Sequence, residues 1–174
     1  MILKKRFILI FLLFISVFSC DCFASKKSNK RPSWGMIKVE QLGCLMNVRN
    51  YILLANGRDI ELKKEKGICK VVSGFWEVLD GDNGEYILIT DPKDIEIDHI
   101  VPWSYLKRNV NKKDYNFVFN MLVNLKPVSK RYNRNKKDKV CDTEQLCNTQ
   151  QYHCELIKTE LDKQNIENTI DCGD

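Results

Sequence analysis

A carboxylate and an imidazole stand side by side at Asp98-His99, followed by asparagines at 124 and 133 and by Arg134, Lys136 and Lys137. An imidazole can accept a proton near neutral pH. Carboxylate and amide oxygens are hard ligands that favour Mg²⁺, or Mn²⁺, over zinc, while lysine and arginine hold phosphate oxygens. Together these residue types could hydrolyse a phosphodiester. That reaction needs a water made nucleophilic, a cation to neutralise charge on the phosphate and leaving oxygen, and positive groups to hold the strand. Taken singly, each has an ordinary structural reading. A lone histidine on an apolar-alternating strand is usually a core residue, Asp98 a solvated carboxylate, Asn133 a surface helix asparagine and Asn124 a turn asparagine.

The charge distribution favours a polyanionic partner. The formal charge of +5 is unevenly spread. Between Trp103 and Lys139 eleven lysines and arginines face only Asp114 and Asp138, and the chain outside this window and the first 24 residues is net acidic. A segregated positive field interleaved with tyrosines and asparagines suits the phosphate backbone of nucleic acid. A solvated, lysine-rich surface is the competing explanation from charge alone.

Three segments break that tie: Glu96-Ile97-Asp98-His99-Ile100-Val101-Pro102, Leu122-Val123-Asn124-Leu125-Lys126-Pro127-Val128-Ser129 and Asn133-Arg134-Asn135-Lys136-Lys137-Asp138. Together they resemble the HNH (His-Asn-His) endonuclease motif, the ββα-metal finger. Cys69-Lys70-Val71-Val72-Ser73-Gly74-Phe75-Trp76 extends the resemblance upstream, toward the exported bacterial subgroup, so that it spans residues 44–139.

The resemblance implies His99 as general base and Asp98 and Asn133 as ligands of one divalent ion, with asparagine rather than histidine on the helix arguing for Mg²⁺. It implies that Asn124 bonds the backbone of the loop after the first strand and so fixes His99. Lys136 and Lys137 fall on Asn133's side of the helix, and one of them would contact phosphate, with Lys136 matching the family spacing better and Arg134 the weaker candidate. Glu96 shares the Asp98 face, as a supporting or a solvated carboxylate. The implied activity is that of an exported, metal-dependent endonuclease with little sequence preference, DNA being the favoured substrate over RNA. Two other readings stay open: a catalytically silent, disulfide-stapled polyanion-binding protein, and a secreted nuclease toxin or effector. One geometric difficulty accompanies the motif. Neighbours on a regular strand point to opposite faces, so Asp98 and His99 serve one phosphate only if the strand twists or frays before Pro102.

The elements that must position these residues are legible in outline. The fold expected is α+β: a small ββα nuclease core over residues 95–139, an added β-hairpin and flanking helices, stapled by disulfides. Apolar residues between Val39 and Asn56 recur at three- and four-residue steps and predict a helix ended by Asn56-Gly57. Cys69–Val78 and Glu85–Thr90, rich in β-branched and aromatic residues, flank the turn-forming Asp80-Gly81-Asp82-Asn83-Gly84 and read as a hairpin. A strand over Ile95–Val101 is stopped by Pro102, then comes a long loop. After the apolar segment Met121–Val128, Ser129 can cap a helix carrying Tyr132, Asn133, Lys136 and Lys137. The tail from residue 140 onward predicts a helix over Gln151–Gln164 with a thin apolar face.

The chain opens with Lys4, Lys5 and Arg6, an apolar run from Phe7 to Phe18 and a small-residue site ending at Ala24. This pattern reads as a secretory signal peptide over residues 1–24, the apolar run being too short for a membrane-spanning helix. Residues 25–35, polar and broken by Pro32, read as a flexible lead-in, and residues 36–174 as one domain. Export to the periplasm or beyond permits disulfides among Cys44, Cys69, Cys141, Cys147, Cys154 and Cys172. The pairing expected is Cys44 with Cys69, plus two bridges among the last four, because neighbours in sequence staple their own segment most easily.

Overall fold

The structure, a computed structural model, describes residues 31–81, 84–139 and 144–173. The expected signal segment, residues 25–30 of the lead-in and Cys141 lie outside them. In chain order the elements are β1 (Met36–Val39), β2 (Cys44–Asn47), α1 (Val48–Asn56), β3 (Arg58–Glu65), β4 (Ile68–Leu79), β5 (Tyr86–Ile89), β6 (Ile95–His99), α2 (Trp103–Asn109), α3 (Tyr115–Phe119), β7 (Leu125–Ser129), α4 (Lys130–Lys136) and α5 (Glu144–Lys163). Among the described residues, no helix is long and apolar enough to cross a membrane.

β4 organises the sheet because its twelve residues are long enough to pair along both halves. Its first half runs antiparallel to β3, from Glu65 opposite Ile68 to Arg58 opposite Phe75, and meets β2 in parallel at Leu45. Its second half forms the expected hairpin with β5, and its end meets β7 in parallel at Val128. β7 then pairs antiparallel with β6, placing Asp98 opposite Lys126 and His99 opposite Leu125. β6 and β7 thus pair across the intervening α2 and α3, and α4 follows β7 directly, within a mixed α+β fold.

Two residues mark why the helix expected from Val39 starts only at Val48. Gly43 adopts φ of 59°, and the Asn47 side chain accepts from the Asn50 N–H at 2.8 Å, capping α1. Ahead of that cap the burial has period two: Cys44 and Met46 are buried and Leu45 is exposed. That is strand patterning, and β2 pairs with β1 accordingly. β3 is an addition to the expected elements. It is mostly charged, with Ile60 and Leu62 alone half-buried, a composition that suits an edge strand.

Val48, Ile52 and Leu53 of α1 pack with Val71, Trp76 and Val78 of β4, with Ile95 and Ile97 of β6 and with Leu125. Trp76 is fully buried and donates its indole N–H to the Leu53 carbonyl at 2.7 Å. Gly57 and Gly74 let the backbone approach its ring: a Cβ would come within 2.4 Å of Trp76 at Gly57 and within 2.8 Å at Gly74. The expected long loop after Pro102 instead contains α2 and α3, too short to show a helical period. Leu106, Val118 and Met121 from this region join Cys154, Ile157, Leu161 and Ile170 in a second core. α5 begins seven residues earlier than the sequence pattern suggests and buries the stripe Cys154-Ile157-Leu161 there.

The Cys44–Cys69 bridge is present as expected, and so is a bridge within the tail, Cys154–Cys172. Cys147 is disulfide-bonded as well. Residues 31–35 correct the expectation of a flexible lead-in. Gly35 N–H donates to Asn120 at 2.7 Å, its carbonyl accepts from Val48 N–H at 2.8 Å, and Trp34 packs against Phe119.

Candidate functional site around His99

Strand alternation distributes the motif over two faces of β6. Ile95 and Ile97 enter the core beside α1, whereas Glu96 and Asp98 turn toward α4. Ser129 positions that helix by accepting from Tyr132 N–H at 2.9 Å, the expected N-cap. One turn apart on α4, Asn133 reaches Glu96 and Lys136 reaches Asp98. His99 closes the strand from the opposite face, under Phe119, Trp34 and Trp103. The divergence foreseen for adjacent strand residues is therefore present, and the protein lies on either side of the strand end rather than fraying it.

Asn124 locks the turn between β6 and α2. Its side-chain oxygen accepts from Val101 N–H at 2.8 Å, its amide donates to the Val101 carbonyl at 3.0 Å, and its own carbonyl accepts from Ile100 N–H at 2.9 Å. This is the backbone contact expected of it. A fully buried asparagine that satisfies both polar groups of one residue holds the chain just past His99 in a single conformation.

His99 is 3 % exposed. Its Nε2 lies 2.9 Å from the Phe119 carbonyl at the end of α3, and its Nδ1 lies 3.4 Å from a guanidinium nitrogen of Arg31. A carbonyl only accepts and a guanidinium only donates, so this network assigns the proton to Nε2 and leaves the lone pair on Nδ1. Burial lowers the imidazole from 6.5 to about 4; the Phe119 carbonyl opposes that shift, and Arg31 and Lys136 add to it. His99 is therefore neutral at physiological pH.

Asp98 is buried and surrounded by cations. Lys136 Nζ hydrogen-bonds Asp98 Oδ1 at 3.0 Å, lies 2.9 Å from Oδ2 and donates to the His99 carbonyl at 2.7 Å. Burial pushes the Asp98 carboxyl above its ordinary range, while Lys136, Lys126 and Arg31 pull it down. Lys126, across the strand pair, lies 5.2 Å from the centre of the Tyr132 ring and is itself lowered, chiefly by burial.

Two expected roles change in this arrangement. Lys136, expected at a phosphate, is 2 % exposed and neutralises Asp98. The long lysine stem runs inward because α4 packs on β6 and β7, and the buried carboxylate demands a counter-ion. Asp98 and Asn133, expected to share a divalent ion, are engaged separately: Lys136 covers Asp98, and Asn133 donates its amide to Glu96 at 2.6 Å. Asp98 Oδ2 lacks a hydrogen bond, yet the Lys136 ammonium already supplies its positive charge. No group of three or more His, Cys, Asp or Glu suited to a metal occurs among the described residues. As arranged, the pair does not fit a shared ion.

Arg134 on α4 and Lys137 just after it are exposed. Lys130 pairs with Asp94, and Arg131 pairs with Asp80 and Glu85. Lys107, Arg108, Lys112, Lys113, Arg134 and Lys137 carry no ion pair among the described residues, so a positive surface remains.

Five further residues complete the site: Arg31, Trp34, Trp103, Phe119 and Lys126. Trp103 follows Pro102 directly and Lys126 follows Asn124 by two, so proximity to the motif could have marked them. Arg31 precedes His99 by 68 residues and carries no local signal. No protein-family model, curated protein or solved structure matches the chain.

Proposed function

We propose that this protein is an endonuclease of the HNH kind that hydrolyses phosphodiester bonds in nucleic acid, DNA before RNA, with His99 Nδ1 as the proton acceptor. The observation that carries the reading is the Phe119 carbonyl on His99 Nε2, which leaves Nδ1 as the basic nitrogen beside Arg31. In that role Nδ1 takes a proton from water as the water oxygen bonds to phosphorus, and the leaving oxygen is protonated from solvent. A base lowered to about 4 is weak at neutral pH. A phosphodiester arriving beside it brings a negative charge, which favours the imidazolium and raises its basicity. Asn124 acts through the turn it holds, as a positioning residue. Arg134, Lys137 and the other unpaired cations supply strand affinity without base readout.

Mg²⁺ or Mn²⁺ reaches Asp98 only if Lys136 withdraws from it. We also place the enzyme in an oxidising compartment outside the cytoplasm. The Cys44–Cys69 and Cys154–Cys172 bridges support that placement.

A second reading is favoured by the same geometry: the Lys136 ion pair and the burial of His99 suit a catalytically silent polyanion-binding protein. Cleavage separates the two. Plasmid, linear duplex, single-stranded DNA and RNA are incubated with wild type and His99→Ala in Mg²⁺, Mn²⁺, Zn²⁺ or EDTA, with circular dichroism confirming that the variant folds. The nuclease reading expects nicking by wild type and loss of about 100-fold or more in the variant. Salt-sensitive binding with no cleavage in any metal supports the silent reading, and full activity in folded His99→Ala removes His99 as the base.

A further inference from the structure

The segment ahead of β1 approaches the site from outside the motif and brings a guanidinium to the nitrogen that carries the lone pair. We infer that Arg31 is a phosphate-binding residue of the His99 site, holding a phosphodiester oxygen of the nucleic acid beside His99 Nδ1. This deepens the function proposed above and rests on it for the identity of the substrate.

The segment is anchored where it needs to be. Asn120 accepts from Gly35 N–H at 2.7 Å and donates to the Ser33 carbonyl at 3.3 Å. Trp34 lies nearly parallel to His99, at 9° and 6.2 Å between centroids, and packs on Phe119 at 4.9 Å. These contacts deliver Arg31 with its Cζ 5.0 Å from the Phe119 ring centre. The guanidinium has the ring beneath it and its contact to Nδ1 is long, at 3.4 Å. No carboxylate lies within ion-pair reach of Arg31 among the described residues. A planar fork with five donors, one of them in a long contact to a neutral nitrogen, has donors left to bind phosphate.

The local charge agrees. Asp98 feels Lys136, Lys126 and Arg31. Lys136 pairs with it, whereas Lys126 and Arg31 make no ion pair among the described residues and lie beside the Tyr132 and Phe119 rings. Of the two cations that act on His99, Arg31 and Lys136, only Arg31 is unpaired, so one positive charge is left beside a neutral imidazole, and an anion balances it. A phosphate oxygen taken by Arg31 also draws the guanidinium away from Nδ1, freeing the lone pair for water. Arg31 would thus cover the base without substrate and bind phosphate with it.

The test uses the full chain with Arg31→Ala, Arg31→Lys and, as a control remote from the site, Lys63→Ala. Binding of a labelled oligonucleotide is read by fluorescence anisotropy in EDTA, with inorganic phosphate as competitor, and cleavage is read separately. Arg31 is exposed, so the variants retain the fold, which circular dichroism checks. Arg31→Ala should weaken binding about tenfold or more and reduce the salt dependence by about one phosphate contact. Arg31→Lys should recover part of the loss, Lys63→Ala should match wild type, and in the cleavage assay kcat should fall more than KM rises. Competition by inorganic phosphate that vanishes in Arg31→Ala identifies free phosphate as a ligand of the same donors; oligonucleotide binding without such competition identifies the backbone. Affinity within about twofold of wild type overturns the inference, as does a rise in turnover, which would make the segment a cover only. A wild type that binds through Arg31 but never cuts sinks the hydrolysis reading and leaves the phosphate site standing. Equal cleavage by wild type and Arg31→Ala does the reverse.

Discussion

Lys136→Met tests the buried ion pair on which the site is built. The side chain keeps its length and loses its charge, leaving Asp98 without the ammonium that lies 3.0 and 2.9 Å from its two oxygens. Lys136 is 2 % and Asp98 5 % exposed, so water cannot take over. Removing one partner of such a pair strands the other charge, at a cost of about 3–5 kcal/mol. The expected loss of unfolding free energy in urea at neutral pH is of that size, a large share of the roughly 5–15 kcal/mol available to a domain. The pH dependence carries a sign. Burial already holds the folded Asp98 above 3.8 with Lys136 opposing, so the variant raises it further. A group raised on folding contributes stability below its unfolded pKa that is lost as pH rises. The deficit of Lys136→Met should therefore shrink on acidification and widen toward neutrality. The double variant Asp98→Asn/Lys136→Met removes both charges and should be more stable than Lys136→Met alone. A single-variant cost below about 1 kcal/mol, or strict additivity in the cycle, would refute the buried pair.

Asn124→Ala strands the buried Val101 N–H and carbonyl and should cost about 2–4 kcal/mol in urea unfolding; a cost near zero would show that the turn after β6 does not depend on it. For His99, the folded value near 4 lies below the ordinary 6.5. Its contribution is present above the unfolded value and is lost as pH falls toward 4, by about 3 kcal/mol in all. Wild type should lose that stability relative to His99→Gln in urea titrations between those limits, and parallel curves would contradict the burial of a neutral imidazole. Breaking Cys44–Cys69, which closes 25 residues, by paired serine substitution should cost about 3.5 kcal/mol, and breaking Cys154–Cys172, which closes 18, about 3 kcal/mol, in the chain-entropy estimate. Thermal denaturation of the two paired variants checks both.

What could be read from the sequence was whatever short-range chemistry decides. The Asp80–Gly84 turn between β-rich runs announced β4 and β5, Pro102 ended β6, and Ser129 announced α4. The Cys44–Cys69 bridge followed from position in the same way, whereas Asn124's backbone contact was implied by the resemblance to the HNH motif. The helix before Asn56 is legible only in its second half, because three- and four-residue steps in a short apolar run resemble strand alternation until Gly43 and Asn47 are placed. β3 was illegible because an edge strand needs little apolar surface, and α2 and α3 because five or seven residues cannot establish a period.

His99 illustrates the division most directly. The residues alone determined that an imidazole, a carboxylate and two asparagines stand in one ordered series, and strand periodicity determined that Asp98 and His99 diverge. Only tertiary structure decided their partners. α4 brings Lys136 to Asp98 and Asn133 to Glu96, and the end of α3 brings the Phe119 carbonyl to Nε2. The 31–35 segment brings Arg31 to Nδ1. These contacts span 20 to 68 residues of sequence. Such pairings are settled by which faces pack and which buried charges must be neutralised, and neither quantity exists until the elements have docked.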